Sequence, residues 1–180
     1  MHLPPILDRR VISENRFLRY VEEDLPDRHG RLYTYYQVEA RYDVVVVVPV
    51  LPDGRLVVEH IYRHPYRRWF LEFPAGGIEP GEDPCAAGAR ELAEETGHTA
   101  ARVTKLGTME AMPGLLRMRL HVVLAEDCEL TTEPSLEAME MLKVDLMTRA
   151  AAQAAADAGD ASSFLCLGLL HLDRIRPIGA

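Results

Sequence analysis

Five consecutive valines, Val44 to Val48, set the tightest limit on what this chain can become. β-Branched side chains are stiff at χ1 and fit the pleated surface of a strand. Successive side chains of a strand point to opposite faces, so an unbroken apolar run must be buried on both. The run predicts a strand from Asp43 to Leu51 inside a sheet that is covered on two sides. Pro52-Asp53-Gly54 is a tight turn, and Arg55 to Tyr62 returns as a strand. Arg67 to Phe73, Arg102 to Glu110, Arg119 to Ala125 and Met141 to Leu146 read as further strands. Ala150 to Ala158 is alanine-rich and helical, and Ser163 to Arg174 is a second helical stretch, with Leu165, Leu169, Leu172 and Ile175 on one face. Strands and helices mixed in this way suit a sheet with helices laid on it, an α/β protein.

The first forty residues read as an antiparallel hairpin. Arg16 to Leu25 and Leu32 to Ala40 are strand-like and joined through Pro26-Asp27-Arg28-His29-Gly30. A two-stranded hairpin is marginal by itself. Residues 1–41 must therefore lean on the 42–180 domain or on a partner subunit. The 180-residue chain has a formal net charge of −8 and no long basic run, which argues against nucleic acid as a bulk ligand. No apolar run reaches membrane length, and the N-terminus has no signal-peptide pattern. Cys85, Cys128 and Cys166 are odd in number and widely spaced, without metal-ligand or disulfide spacing. A reducing cytoplasm is the expected setting.

The stretch from Ala75 to His98 carries the chemistry. Gly76, Gly77, Pro80 and Gly81 break regular structure. Asp83 is placed to cap a helix, Pro84 to open it and Gly97 to stop it. Wound at 3.6 residues per turn, Cys85, Gly88, Ala89, Leu92 and Thr96 share one arc, which is expected to face the core. Ala87, Arg90, Glu91, Glu94 and Glu95 fall opposite. Three carboxylates within two turns repel one another, and two of them lie near the helix C-terminus, where the dipole disfavours anions. Such a face is either solvated or neutralised by a cation. Carboxylate oxygens suit Mg²⁺ or Mn²⁺. Arg90 reaches Glu94 at i+4 and can hold it in place.

This stretch resembles the Nudix box: a Gly, five residues, Glu, seven residues, Arg-Glu, an aliphatic residue, any residue, Glu-Glu, any residue, Gly and an aliphatic residue. Gly76, Glu82, Arg90-Glu91-Leu92, Glu94-Glu95 and Gly97 fit it, while His98 stands where the family prefers an apolar side chain. The resemblance implies an α/β/α sandwich with a mixed sheet, and hydrolysis of a nucleoside diphosphate linked to another moiety. Leu71-Glu72-Phe73-Pro74-Ala75-Gly76 is similar to the lead-in of the ADP-ribose and nucleoside-diphosphate-sugar pyrophosphatases, and His60-Ile61-Tyr62-Arg63 to their Gln-Tyr-Arg segment. In that branch Arg63, Gly76, Pro113 and Gly114 stand at substrate-binding places. Met118 stands where an acid is usual, with Arg117 and Arg119 beside it.

The resemblance further implies metal ligands at Glu91, Glu94, Glu95 and the Ala75 carbonyl, with Arg90 and Glu94 in the catalytic set. It puts a general base on a late loop. Glu133 to Glu140 is the acidic loop there; Glu137 aligns best by counting back from the next strand, and Glu140 is the second candidate. It also implies a homodimer in which the N-terminal strands pack across a two-fold axis. A binding or regulatory module of the same fold, without turnover, is the competing reading, as is a hydrolase for GDP-sugars or dinucleotides. The intact Arg90, Glu91, Glu94 and Glu95 set favours the enzyme; Met118 favours the module.

Overall fold

The valine run forms the strand it predicts. In a computed structural model describing residues 3–177, β4 covers Val44–Val50, and Val45 to Val48 have no exposed surface. Its two faces go to two helices. Val45 and Val47 approach Gly88 of α1 (Pro84–Thr96), whereas Val48 approaches Gly168 of α3 (Ser163–Ile175). Odd and even valines thus pack against opposite layers, which is the α/β/α arrangement expected from an apolar strand with no solvent face.

The chain divides into two compact units. One runs through Asp43 and adds Met109–Leu120; the other holds Val44–Thr108 and the chain from His121 onward. In the second unit, β5 (Leu56–Arg63) turns back from β4 in antiparallel pairing. It pairs in turn with β6 (Arg68–Glu72) and β10 (Leu142–Met147). A three-residue strand, β7 (Ala75–Gly77), adds to the other side of β4. Two long strands, β8 (His98–Met112) and β9 (Leu116–Leu130), pair with each other and supply residues to both units. The core beneath α1 gathers Val45, Val47, Ala87, Leu92, Val123, Ala125 and Cys128. A short helix, α2 (Arg149–Asp157), lies against α3.

In the first unit, the expected hairpin is present as β2 (Leu18–Pro26) and β3 (Leu32–Ala40), but a third strand precedes it. This is β1 (Asp8–Glu14), antiparallel to β2, with a bulge between Val11 and Ser13. Nearly all of β1 is exposed, so it has no apolar alternation to reveal it in the sequence. The far edge of β3 pairs in parallel with β9, Val38 opposite Leu116 and Glu39 opposite Arg117. The sheet is therefore mixed. No helix among the described residues is long and apolar enough to cross a membrane.

Candidate active site

Helix α1 begins and ends where its residues dictate. The Asp83 carboxylate accepts from the Cys85 and Ala86 N–H groups, Pro84 opens the first turn, and Gly97 closes the last with φ 73°. The face assigned from periodicity needs correction. The buried residues are Ala87, Gly88, Glu91, Leu92, Glu95 and Thr96, whereas Ala89 is exposed. The inward stripe is rotated toward Ala87, Glu91 and Glu95, so two of the three carboxylates point into the protein. Apolar periodicity misplaces the stripe because it assumes that only apolar groups turn inward. The small residues still act as expected: a Cβ on Gly88 would lie 2.6 Å from Val123, so helix and sheet are in close contact.

The buried carboxylates are held by the loop before them. Glu95 is 4% exposed and accepts from the Ala75 N–H at 3.0 Å. Glu91, 8% exposed, lies over Gly76, where an added Cβ would stand 2.0 Å from its carboxyl carbon. A side chain at Gly76 would thus have to displace the Glu91 carboxylate. Arg90 gathers the rest. Its Nε and Nη2 bind Glu82 at 3.0 and 3.1 Å, Nη1 binds Glu91 at 2.8 Å and Glu94 at 3.0 Å, and Nη2 also reaches the Gly77 carbonyl at 2.8 Å. The hydrogen bond to Glu82 contributes most to raising the Arg90 pKa, so this guanidinium stays charged. His98 fits its unexpected position by satisfying its ring locally: Nδ1 lies 3.0 Å from the Thr96 carbonyl and 3.1 Å from the Thr96 hydroxyl.

Strands β5 and β6 bring two more carboxylates. Glu59 and Glu72 are register partners, 1% and 2% exposed. Arg63, two positions farther along the same face as Ile61, binds Glu72 through Nε at 3.0 Å and Nη2 at 2.6 Å, a planar two-point pair. Glu59 Oε1 is buried and has no hydrogen-bond partner. An unsatisfied buried polar atom costs about 1–3 kcal/mol. Burial raises the Glu59 pKa, reinforced by Glu72 and only partly offset by Arg63. Burial raises Glu95 as well, with the charges of Glu59 and Glu91 next in order. Glu91 is raised by burial too, against the pull of Arg90.

The late acidic loop is tied to the end of the same helix. The Ser135 N–H donates to the Glu94 carbonyl at 2.7 Å, and the Thr131 and Thr132 N–H groups donate to the Gly97 carbonyl at 3.0 and 3.1 Å. These bonds occupy carbonyls that a helix end leaves open. The Glu140 charge acts on Glu59, Glu91 and Glu95 alike. Glu137 is exposed, and its N–H donates to Glu140 Oε2 at 2.6 Å.

This donor set fits a hard divalent cation. Glu59, Glu91 and Glu95 are buried, mutually repelling oxygen donors, and one of their oxygens is orphaned. Among the described residues, no three His, Cys, Asp or Glu side chains already enclose a common point. What links the carboxylates is charge: Glu59 and Glu91 both act on Glu95, and Glu91 acts on Glu59.

Residues 41–167 match the NUDIX domain. The chain belongs to that family. A solved structure described as an ADP compounds hydrolase superposes on this Nudix chain with a TM-score of 0.86, covering 99% of this chain and 98% of that one at 23% identity. That likeness establishes the shared fold. The Bacillus subtilis ADP-ribose pyrophosphatase is 36% identical over 57% of this chain and 60% of its own length. A Streptomyces rubellomurinus protein, the CMP-5'-(N-acetyl-N-hydroxy-3-aminopropyl)phosphonate hydrolase, is 31% identical over 70% of this chain and 61% of its own. The match spans about three fifths of the length of these curated relatives.

The candidate residues of this Nudix chain fall in both units. Ala75, Gly76, Arg90, Glu91, Glu94, Glu95, Arg63, Glu137 and Glu140 belong to the second. Pro113, Gly114 and Met118 belong to the first, where they line a cavity of about 840 Å³ together with Arg19, Tyr35, Arg41 and Glu39. Pro113 and Gly114 form the β8–β9 turn, closed by Leu115 N–H on the Met112 carbonyl at 2.9 Å, and the Tyr35 hydroxyl donates to the Gly114 carbonyl at 2.5 Å. Arg117 and Arg119 also line the cavity, paired with Glu39 and Asp43. The buried carboxylate that sequence reasoning missed is Glu59. Its signal is present: one acid inside the apolar run Leu56-Val57-Val58-Glu59, where a buried strand has no ordinary place for it.

Proposed function

We propose that this chain is a divalent-cation-dependent pyrophosphatase acting on ADP-ribose or a related nucleoside-diphosphate sugar. One observation carries the reading: Glu91 and Glu95 are buried beside Glu59, and Arg63 and Arg90 are committed to other carboxylates as well. Mg²⁺ or Mn²⁺ suits that charge, held by Glu91 and Glu95 with Glu94 and the Ala75 carbonyl beside them. When bound, such an ion offsets the charge of the pyrophosphate oxygens and acidifies a water.

The side chains do the rest. Arg90 fixes the spacing of Glu82, Glu91 and Glu94. Arg63, aligned by Glu72, offers a guanidinium to a substrate phosphate. Glu140 removes the proton of the attacking water; its charge reaches the buried carboxylates, which favours it over Glu137. Water adds to one phosphorus, the bridging P–O bond breaks, and a nucleoside monophosphate and a sugar phosphate leave. Gly76, Pro113, Gly114 and Met118 are assigned to substrate binding. The name of the Bacillus subtilis relative supports the substrate class, and that of the Streptomyces rubellomurinus relative supports the broader class of a nucleotide joined to a second moiety.

The test is direct. ADP-ribose with Mg²⁺ should yield AMP and ribose 5-phosphate, and a chelator should stop the reaction. Tight binding without products across a panel of nucleoside-diphosphate derivatives would instead identify a non-hydrolytic module. We further propose a homodimer joined through the N-terminal strands, where Phe17, Leu18, Tyr33 and Tyr36 remain exposed. Sedimentation at micromolar concentration checks it, a fully active monomer being the contrary result. The free cysteines Cys85, Cys128 and Cys166 suit the reducing cytoplasm in which we place the protein.

A further inference from the structure

Glu59 has no part in the Nudix box, yet it is among the most buried charged side chains of the chain, 1% exposed on β5. The three residues before it, Leu56, Val57 and Val58, are apolar and equally buried. An aliphatic side chain would suit that position, so the carboxylate calls for a partner. None is made within the protein for Oε1. The guanidinium four positions along the same strand, that of Arg63, commits Nε and Nη2 to Glu72. Arg90 is occupied by Glu82, Glu91, Glu94 and the Gly77 carbonyl.

The orphan lies in the company of the box carboxylates. Glu59 is the largest charge acting on Glu95, and Glu91 and Glu140 act on Glu59 in turn. Glu95 is itself anchored by the Ala75 N–H, so its second oxygen is the one left for other use. Two buried carboxylates that repel, each with an uncommitted oxygen, form a site that a shared cation completes.

We propose that Glu59 is an additional cation-binding carboxylate of this chain, supplying a donor to a divalent ion held with Glu95. The inference rests on the reading of Glu91 and Glu95 as cation ligands. It makes Glu59 a reason for this site to hold its ion more tightly, or to hold one ion more, than the box residues alone provide.

Titration of the full chain with Mn²⁺, following the free-ion electron paramagnetic resonance signal, separates the possibilities without using turnover. Wild type, E59Q, E59L and E95Q are compared, with thermal melting in chelator and in Mn²⁺ to confirm folding. E59L places an aliphatic group among aliphatic neighbours and so keeps the test open if Gln is poorly tolerated. The expected result is that both Glu59 variants bind Mn²⁺ roughly tenfold more weakly, or with one ion fewer, and that the melting shift on adding Mn²⁺ shrinks. If E95Q loses Mn²⁺ while E59Q and E59L match wild type in affinity and number, Glu59 is no ligand and the box reading stands. If wild type itself binds no Mn²⁺ at millimolar concentration, the cation reading falls, and this inference with it.

Discussion

Glu39 and Glu91 are equally buried, each 8% exposed, yet their acidities move in opposite directions. Burial alone would raise Glu39, but Arg9 at 2.8 Å and Arg117 at 3.3 Å overcome it, and its pKa is lowered. Burial raises Glu91 in the same way, and there Arg90 does not overcome it, since Glu94 and Glu140 add to the rise. The difference is depth as well as company, since Glu91 lies under more surrounding protein than Glu39. On the strands of the first unit, arginines are matched to acids: Arg9 to Glu23 and Glu39, Arg10 to Asp8, Glu22 and Asp24, Arg119 to Asp43. Each acid named there has an arginine partner. Around α1 and β5 there are more carboxylates than guanidiniums, and one of them has an orphaned oxygen. A matched network contributes to structure; an unmatched one stores repulsion that a ligand can relieve.

The comparison can be broken most decisively at Glu95. Glu95→Gln removes a buried ionisable carboxyl at nearly constant shape. Turnover should fall roughly a thousandfold, and the metal-free protein should gain over wild type in melting point as pH is raised, because burial first, and then Glu59 and Glu91, oppose ionisation of Glu95. Near-normal rates at saturating Mg²⁺, with an unchanged melting point, would mean that Glu95 is no more than a buried acid.

A smaller effect is expected on the loop. Glu140→Gln should slow turnover by roughly a few hundredfold while Mn²⁺ affinity changes little, as for a lost general base. Glu137→Gln should be mild, given its exposure. The reverse ranking in steady-state rates would move the base to Glu137.

Next comes the support beneath Glu91. Gly76→Ala puts a methyl group into the Glu91 carboxylate, 2.0 Å from its carbon, and must displace it. A shift of that order costs roughly a hundredfold or less in rate, with a folded protein by circular dichroism. Full activity would show that the Glu91 position is not critical.

The smallest effect belongs to the matched network. Arg10 and then Thr34 hold Asp24 down at about 2. A depressed carboxylate stabilises fully above its unfolded pKa, about 3.9, and ceases to do so as pH falls through the folded value. Asp24→Asn should therefore leave turnover untouched, lower the melting point slightly at neutral pH, and converge with wild type near pH 2. A loss of Mg²⁺-dependent activity in this variant would erase the distinction between the two regions.

Much of this protein is determined locally. The valine strand, its turn, the Asp83 and Gly97 caps and the glycine-rich loop are short-range consequences of steric and hydrogen-bonding preferences, so they could be read residue by residue. So could the box carboxylates, because three acids on two helical turns are conspicuous against any background. What the sequence left open concerns direction and partnership. Periodicity turned Glu91 and Glu95 outward, whereas packing turns them inward, against Gly76 and the Ala75 N–H. Exposed β1 carries no hydrophobic alternation, so only its pairing with β2 defines it. Glu59 lies 32 residues before Glu91 in the chain and joins it only through the register of β5 with β6 and the packing of α1 on the sheet. Local preferences decide which elements form. Which charges must face one another, and which are left without a partner, is decided when those elements close on a shared interior where water can no longer separate them.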